Sequence, residues 1–132
     1  AVVGADEIYA VPADVFAPCA LGGVLNDDTI PRLAARVVCG GANNQLLEPR
    51  HGEVLAERGV LYAPDYVANG GGVIAGVGDM RGVDPEVSAA RVEGIYDTML
   101  AVLRSAERLG ITPAEAADRY AEERLGGSPL SR

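Results

Sequence analysis

The sequence predicts an α/β fold: a three-stranded parallel sheet in a sandwich that forms half of a doubly wound architecture and is closed by two C-terminal helices. Three observations lead there. Short apolar runs at Val15-Phe16-Ala17, Arg36-Val37-Val38-Cys39 and Gly59-Val60-Leu61-Tyr62-Ala63 each stop at Pro or Gly, as short buried strands do. The stretches between them, 27–35 and 49–58, are of a length for crossover helices in βαβ units, which makes the sheet parallel and its connections right-handed. The final third then changes to helical spacing.

The runs are continuously apolar rather than alternating, the pattern of strands covered on both faces. In the last third, Asp84-Pro85 supplies an N-cap and a first-turn proline. Val92, Ile95, Met99, Val102, Leu103 and Ala106 then recur on one face as far as Gly110, which predicts one long helix. Thr112, Pro113 and Glu115 form a capping box that opens a second helix, ended by Gly126-Gly127, with a frayed tail expected from Ser128.

A chain of 132 residues, 48% hydrophobic and 23% charged, holds one core and lies well away from the composition of disordered segments. Its net charge of −8 would repel a phosphate backbone or an anionic membrane surface. All 11 basic residues are arginine, so a Schiff base, a phosphate-loop lysine and a lysine general base are excluded for this chain. One histidine, His51, leaves no second imidazole for a two-histidine metal centre, and the two cysteines, Cys19 and Cys39, cannot make a zinc knuckle. Reduced, buried thiols in a cytoplasmic protein are expected. No apolar run approaches the roughly 18 residues of a membrane span. The chain begins at Ala1 rather than Met, so a processed or partial product is expected.

Gly70, Gly72 and Ala75 match the spacing of a dinucleotide fingerprint. That fingerprint turns directly from a strand into a helix, whereas here Pro64 to Asn69 intervene, so close backbone approach to a ligand or helix packing is the better reading. Asn43-Asn44-Gln45 lies at the carboxyl end of the second strand, the edge where ligands sit in open α/β sheets. The segments from Ala17-Pro18-Cys19-Ala20 and Ala63-Pro64-Asp65-Tyr66 leave the other strands at the same edge, so three loops converge on one crevice. Asn43 and Asn44 serve either the turn backbone or a ligand. Asp27-Asp28 fits the first turn of a helix better than a cation site, and Cys19 fits a small buried residue better than a nucleophile.

The runs from Asp14 to Gly22, Gly41 to Leu46, Pro49 to Gly52, and Tyr62 to Val67 with Asn69 to Gly72 resemble the amino-acid dehydrogenases of the glutamate, leucine, phenylalanine and valine superfamily, with the leucine dehydrogenases nearest. The resemblance continues through Arg91 to Asp97, Ala116 to Arg119 and Glu122 to Arg124, and so covers nearly the whole chain in order. It implies NAD-dependent oxidative deamination of leucine or a similar apolar L-amino acid to a 2-oxo acid and ammonia, by a cytoplasmic homo-oligomer, with phenylalanine or valine as alternative substrates. It further implies that residues 1–132 are the second half of a Rossmann NAD-binding domain followed by the C-terminal helices, with 81–125 mainly helical. The family's N-terminal substrate domain, with its two lysines and catalytic aspartate, and its dinucleotide fingerprint lie outside this chain.

By that resemblance Cys19, Ala20 and Asn44 contact NAD, and Asn44, Asn69, Gly71, Gly72, Val73 and Gly76 contact the substrate, Val73 and Gly76 shaping its side-chain pocket. No catalytic acid, base or metal ligand is expected in this chain. Asn43 stands where aspartate is usual, Gly70 where alanine or serine is usual, and Ala75-Gly76 where larger residues are usual. The chain alone is expected to be inert, because hydride transfer needs a positioned cofactor and a proton acceptor in one cleft; the competing expectation is a non-catalytic binding or interaction module that shares the fold. An uncovered edge strand should also make the isolated chain marginally stable or self-associating.

Overall fold

The computed structural model describes residues 2–126; Gly127, expected with Gly126 to end the last helix, and the tail from Ser128 lie outside them. Three two-residue strands, β1 (Val15–Phe16), β2 (Val37–Val38) and β3 (Leu61–Tyr62), pair in parallel in the order β1-β2-β3. Val15, Val37 and Leu61 stand side by side, as do Phe16, Val38 and Tyr62. Successive strand residues point to opposite faces, and here only one face is covered. Val38 and Tyr62 are buried with Leu25, Ile30, Leu33, Ala35, Leu55 and Val60, while Phe16 packs on them from the edge.

The other face is bare among the described residues: Val15 is 50% and Leu61 43% exposed. This corrects the expectation of strands buried on both sides. It also corrects the expectation of buried thiols. Cys39 follows Val38 and so points to the open face, Cys19 lies beyond the end of β1, and both are free and exposed.

The first crossover is not a helix. Asn26 Oδ1 accepts the N–H groups of Asp28 and Thr29, both at 3.0 Å, and the Thr29 hydroxyl donates to the Val24 carbonyl at 2.6 Å. Such side-chain bonds compete with a helix, and Pro31 disfavours helical geometry at Ile30. Only a single 3-10 turn, Ile30–Arg32, remains. The second crossover contains α1 (His51–Glu57), which packs Leu55 into the core with the sheet and also buries His51. After β3 come α2 (Asp65–Ala68) and α3 (Gly71–Met80).

The predicted long helix is divided at Gly94 into α4 (Pro85–Glu93) and α5 (Ile95–Leu109). Thr98 gives both its N–H and its hydroxyl to the Gly94 carbonyl, each at 3.1 Å, a back-bond that bends a helix at a residue already poor in helix propensity. Asp84 caps α4 through the Glu86 N–H at 2.8 Å. Gly110, in the left-handed region at φ 65°, ends α5. Thr112 accepts the Glu115 N–H at 3.2 Å and Pro113 opens α6 (Pro113–Arg124), as the capping pattern predicts. Val102, Ala106, Ala116 and Ala117 form the small core between α5 and α6, with Val67 reaching in from α2. No helix among the described residues is long and apolar enough to cross a membrane.

Candidate functional site

The loops that follow β1, β2 and β3 meet at the carboxyl edge of the sheet and are bonded to one another there. Glycine at position 40 is what permits it, since a side chain there would lie 2.6 Å from Pro18 Cδ. The Pro18 carbonyl accepts the Ala42 N–H at 2.9 Å, and the Cys19 sulfur accepts the Gly41 N–H at 3.4 Å. The third loop joins through Asn69, whose amide donates to Asn43 Oδ1 at 2.6 Å and to the Gly41 carbonyl at 3.4 Å. Gly71, Gly72, Val73 and Gly76 then leave this junction on α3. Gly71 packs against Val92, 3.3 Å from where its Cβ would be, whereas Gly72 and Gly76 face open space. Of the two readings of the glycine run, helix packing holds for Gly71. The run begins after α2 rather than after a strand, so it is no dinucleotide fingerprint.

Two clefts of similar size open from the junction, and they divide the expected site residues. One, of about 530 Å³, is lined by Asn44, Tyr62, Asp65 and Tyr66 and by the carboxylates of Glu48, Glu53, Glu115 and Asp118. The other, of about 550 Å³, is lined by Asn43, Asn69, Gly70, Val73, Ile74 and Ile95 and by Tyr120 and Arg124 from α6. Asn44 therefore shares a cleft with neither Asn69 nor Val73; its neighbour Asn43 does. Cys19 and Ala20 are exposed on the first loop and line neither cleft.

The chemistry of the polar cleft is set by buried groups that the sequence did not single out. Asp65, 7% exposed, accepts the Gln45 N–H at 2.7 Å. Gln45, fully buried, donates from its side chain to the carbonyls of Gly40 and Ala42 at 2.8 and 2.9 Å. Burial, and then the Asp65 charge, push the Tyr62 hydroxyl above its ordinary range. Tyr66 donates to Asp118 at 2.6 Å and to the Ala114 carbonyl at 3.1 Å; burial, and then that bond, raise it likewise. Asp65 in Ala63-Pro64-Asp65 and Gln45 in Asn43-Asn44-Gln45 have one usable signal, a polar residue at the carboxyl end of a predicted strand. Their burial had none.

On the outer side of the same loop Arg50 grips the Asp27 carboxylate with two nitrogens, one at 2.7 Å, and Glu48 with its Nε at 2.9 Å. The bonds from Arg50 hold the Asp27 carboxyl down at about 2 and lower that of Glu48. Asp27 is thus an ion-pair partner, and neither it nor Asp28 lies in the first turn of a helix. His51, fully buried, accepts the Glu48 N–H at Nδ1 at 3.0 Å and turns Nε2 toward Asp27 Oδ1 at 3.4 Å. With Nδ1 accepting, the ring proton sits on Nε2. His51 fastens the loop; it does not line the crevice.

A nicotinamide nucleotide suits this edge on two counts. Among the described residues no acceptor meets the backbone N–H groups of Cys19 to Gly22, which leaves a row of donors for ribose or carboxamide oxygens. The Asn44 amide is exposed and unbonded within the described chain. Among the described residues no group of three or more His, Cys, Asp or Glu side chains could hold a metal ion.

Parallel strands whose loops converge in this way on one carboxyl edge define an α/β domain of the Rossmann type. Residues 1–116 match the model of the Glutamate/Leucine/Phenylalanine/Valine dehydrogenase family, and the chain belongs to that family. It is 51% identical to a leucine dehydrogenase of Bacillus cereus over 96% of this chain and 35% of that protein. It is 53% identical to a valine dehydrogenase of Streptomyces coelicolor over 95% and 35%. The crystal structure of L-tryptophan dehydrogenase from Nostoc punctiforme superposes with a TM-score of 0.88 at 50% identity, covering 92% of this chain and 37% of that one. The chain thus spans about a third of the length of these relatives.

Proposed function

We propose that the whole protein oxidises an apolar L-amino acid with NAD as hydride acceptor, water then hydrolysing the imine to the 2-oxo acid and ammonia, and that residues 1–132 supply the nicotinamide side of the site but no turnover by themselves. The single observation that carries this is the crevice edge, where an exposed Asn44 amide stands beside the unbonded N–H row of Cys19 to Gly22 in a chain half identical to amino-acid dehydrogenases. The nicotinamide, when bound, supplies the acceptor for the hydrogen of the substrate α-carbon. In this chain Cys19 and Ala20 hold the nucleotide through their backbone. Asn44 reaches the reacting groups with its amide from the cleft on its side of the loop junction, and Asn69 with Gly72 lets the backbone come close to the substrate from the other. The chain has no lysine, and by the family resemblance the proton acceptor comes from elsewhere in the protein.

Val73 and Gly76 lie one helical turn apart on α3. Val73 presents an apolar wall to the cleft, and Gly76, which is not itself in the lining, leaves open space one turn further along α3 into which the pocket can extend. Leucine is the preferred substrate. Phenylalanine is the nearest rival, because the same space admits a ring. Glutamate is disfavoured by the apolar wall at Val73, although Arg124 of α6 lines the same cleft.

The test is a panel of L-amino acids on the full-length protein with NAD and with NADP, followed by absorbance of the reduced cofactor, before and after Gly76→Val. Leucine should give the highest kcat/KM, and the valine change should lower phenylalanine more than leucine, by about tenfold for each methylene excluded. Highest activity on glutamate, or a leucine to phenylalanine ratio unmoved by Gly76→Val, would overturn the pocket assignment. The 132-residue chain alone should show no turnover.

A further inference from the structure

We propose that Asp65 is a positioning residue which, acting through the backbone of Gln45, holds Asn44 in the left-handed conformation that presents its amide to the crevice. The inference rests on Asn44 being a ligand-contacting residue, as proposed above.

Among the described residues Asn44 is the one non-glycine residue with positive φ, at 53°. Asparagine enters this region more readily than most residues, but it stays there only when its surroundings insist. Here the peptide group between Asn44 and Gln45 is pinned at both ends. Its carbonyl accepts the Gly23 N–H at 2.7 Å, and its N–H donates to Asp65 Oδ2 at 2.7 Å. To pass into the right-handed or the extended region Asn44 must change ψ and so turn this plane, and turning it breaks both bonds.

The two anchors differ in kind. Gly23 belongs to a turn that Gly22 brings so close that a Cβ there would lie 2.7 Å from the Asn43 carbonyl oxygen. Asp65 is a carboxylate 7% exposed, carried on the first residue of α2 behind the buried Pro64. Its own N–H is tied to the Tyr62 hydroxyl at 3.3 Å, so the anchor stands directly on β3 and the core beneath it. A charged acceptor on a backbone N–H is the stronger kind of hydrogen bond.

The side chains around Asn44 are also committed: Gln45 to Gly40 and Ala42, Asn43 to Asn69. The amide left for a ligand is that of Asn44. The arrangement is a free polar group on an over-determined backbone, which is what orientation of a reacting group requires.

The experiment is a double-mutant cycle on the full-length protein, with crystal structures of the variants. Asp65→Ala should lower kcat/KM for amino-acid oxidation by about tenfold or more, and Asp65→Asn, which keeps an acceptor for the Gln45 N–H, should stay within about threefold of the wild type. In an Asn44→Ala background Asp65→Ala should cost nothing further in kcat/KM, because the group it positions is already gone. A structural role alone would give the same loss in both backgrounds, in step with Tm, and would overturn the proposal. The crystal structure of Asp65→Ala should show Asn44 out of the left-handed region; φ still near 53° would also overturn it. If Asp65→Ala does not fold, Asp65→Glu, which displaces the carboxylate by one methylene, takes its place with the same expectations. A full-length protein that oxidises no amino acid would refute the proposed function, while the Asn44 φ of the variant would still decide the role of Asp65.

Discussion

Residues 14–70 and residues 71–126 bury apolar surface in different ways. The sheet half closes over Leu25, Ile30, Leu33, Val38, Leu55, Val60 and Tyr62, large side chains drawn from every segment that leads to the crevice. The helical half closes over one valine and three alanines, Val102, Ala106, Ala116 and Ala117. It also leaves Val73 71% and Met80 88% exposed along α3. A core of large residues holds the loops of the first half to fixed positions, and these are the loops that carry the candidate ligand groups. The second half packs by close approach of small residues, as where Ser88 of α4 occupies the space a Gly78 side chain would need.

Truncation should expose that difference most sharply. Leu55→Ala, at a fully buried position, should destabilise by about 4 kcal/mol, and Val102→Ala, equally buried, by about 2 kcal/mol. Denaturant unfolding of the full-length protein measures both; equal losses would mean that the two cores are not of different strength. Adding a methyl group should separate the halves by sign. Gly40→Ala drives a Cβ into Pro18 and should cost about 3 kcal/mol and weaken nucleotide binding. Gly76→Ala, inside a helix and facing open space, should stabilise by about 0.5 to 1 kcal/mol.

Alkaline titration should act at the joint between the halves. Tyr62 and Tyr66 are both raised above their ordinary value of 10.0. Their contribution to stability is therefore complete below about pH 10 and is lost as the pH climbs through the raised values. Tm should fall above pH 10, and less steeply in Tyr66→Phe, which gives up the bond to Asp118 in advance. The smallest effect is expected on the acid side. Asp27, lowered from 3.8 to about 2, contributes above its unfolded value and loses that contribution as the pH falls toward 2. Because the Asp27–Arg50 pair is exposed, added salt should shrink the difference between the wild type and Asp27→Asn in an acid melt.

Much of the fold was legible because the signals are local. Pro and Gly stop the three strands, and the Val15, Val37 and Leu61 register follows once crossovers make the pairing parallel. The caps at Asp84 and Thr112 are contained within four residues of sequence. The helix predicted over 27–35 failed because Asn26 and Thr29 bond their own turn, a competition that composition does not reveal. The unbroken helix over 84–110 failed at Gly94, where a back-bond from Thr98 outweighs an otherwise continuous apolar face.

For the site, residue type and position on the chain indicated the edge of the sheet where the loops of Cys19, Asn44 and Asn69 meet, since strand direction alone decides which end of a parallel sheet gathers its loops. Which asparagine faces which cleft, the pinning of Asn44 by Asp65 across 20 residues of sequence, and the binding of Arg50 to Asp27 across 23 were decided only by the tertiary structure. A hydrogen bond depends on distances of a few tenths of an ångström between groups far apart in sequence, and those distances exist only after the core has packed.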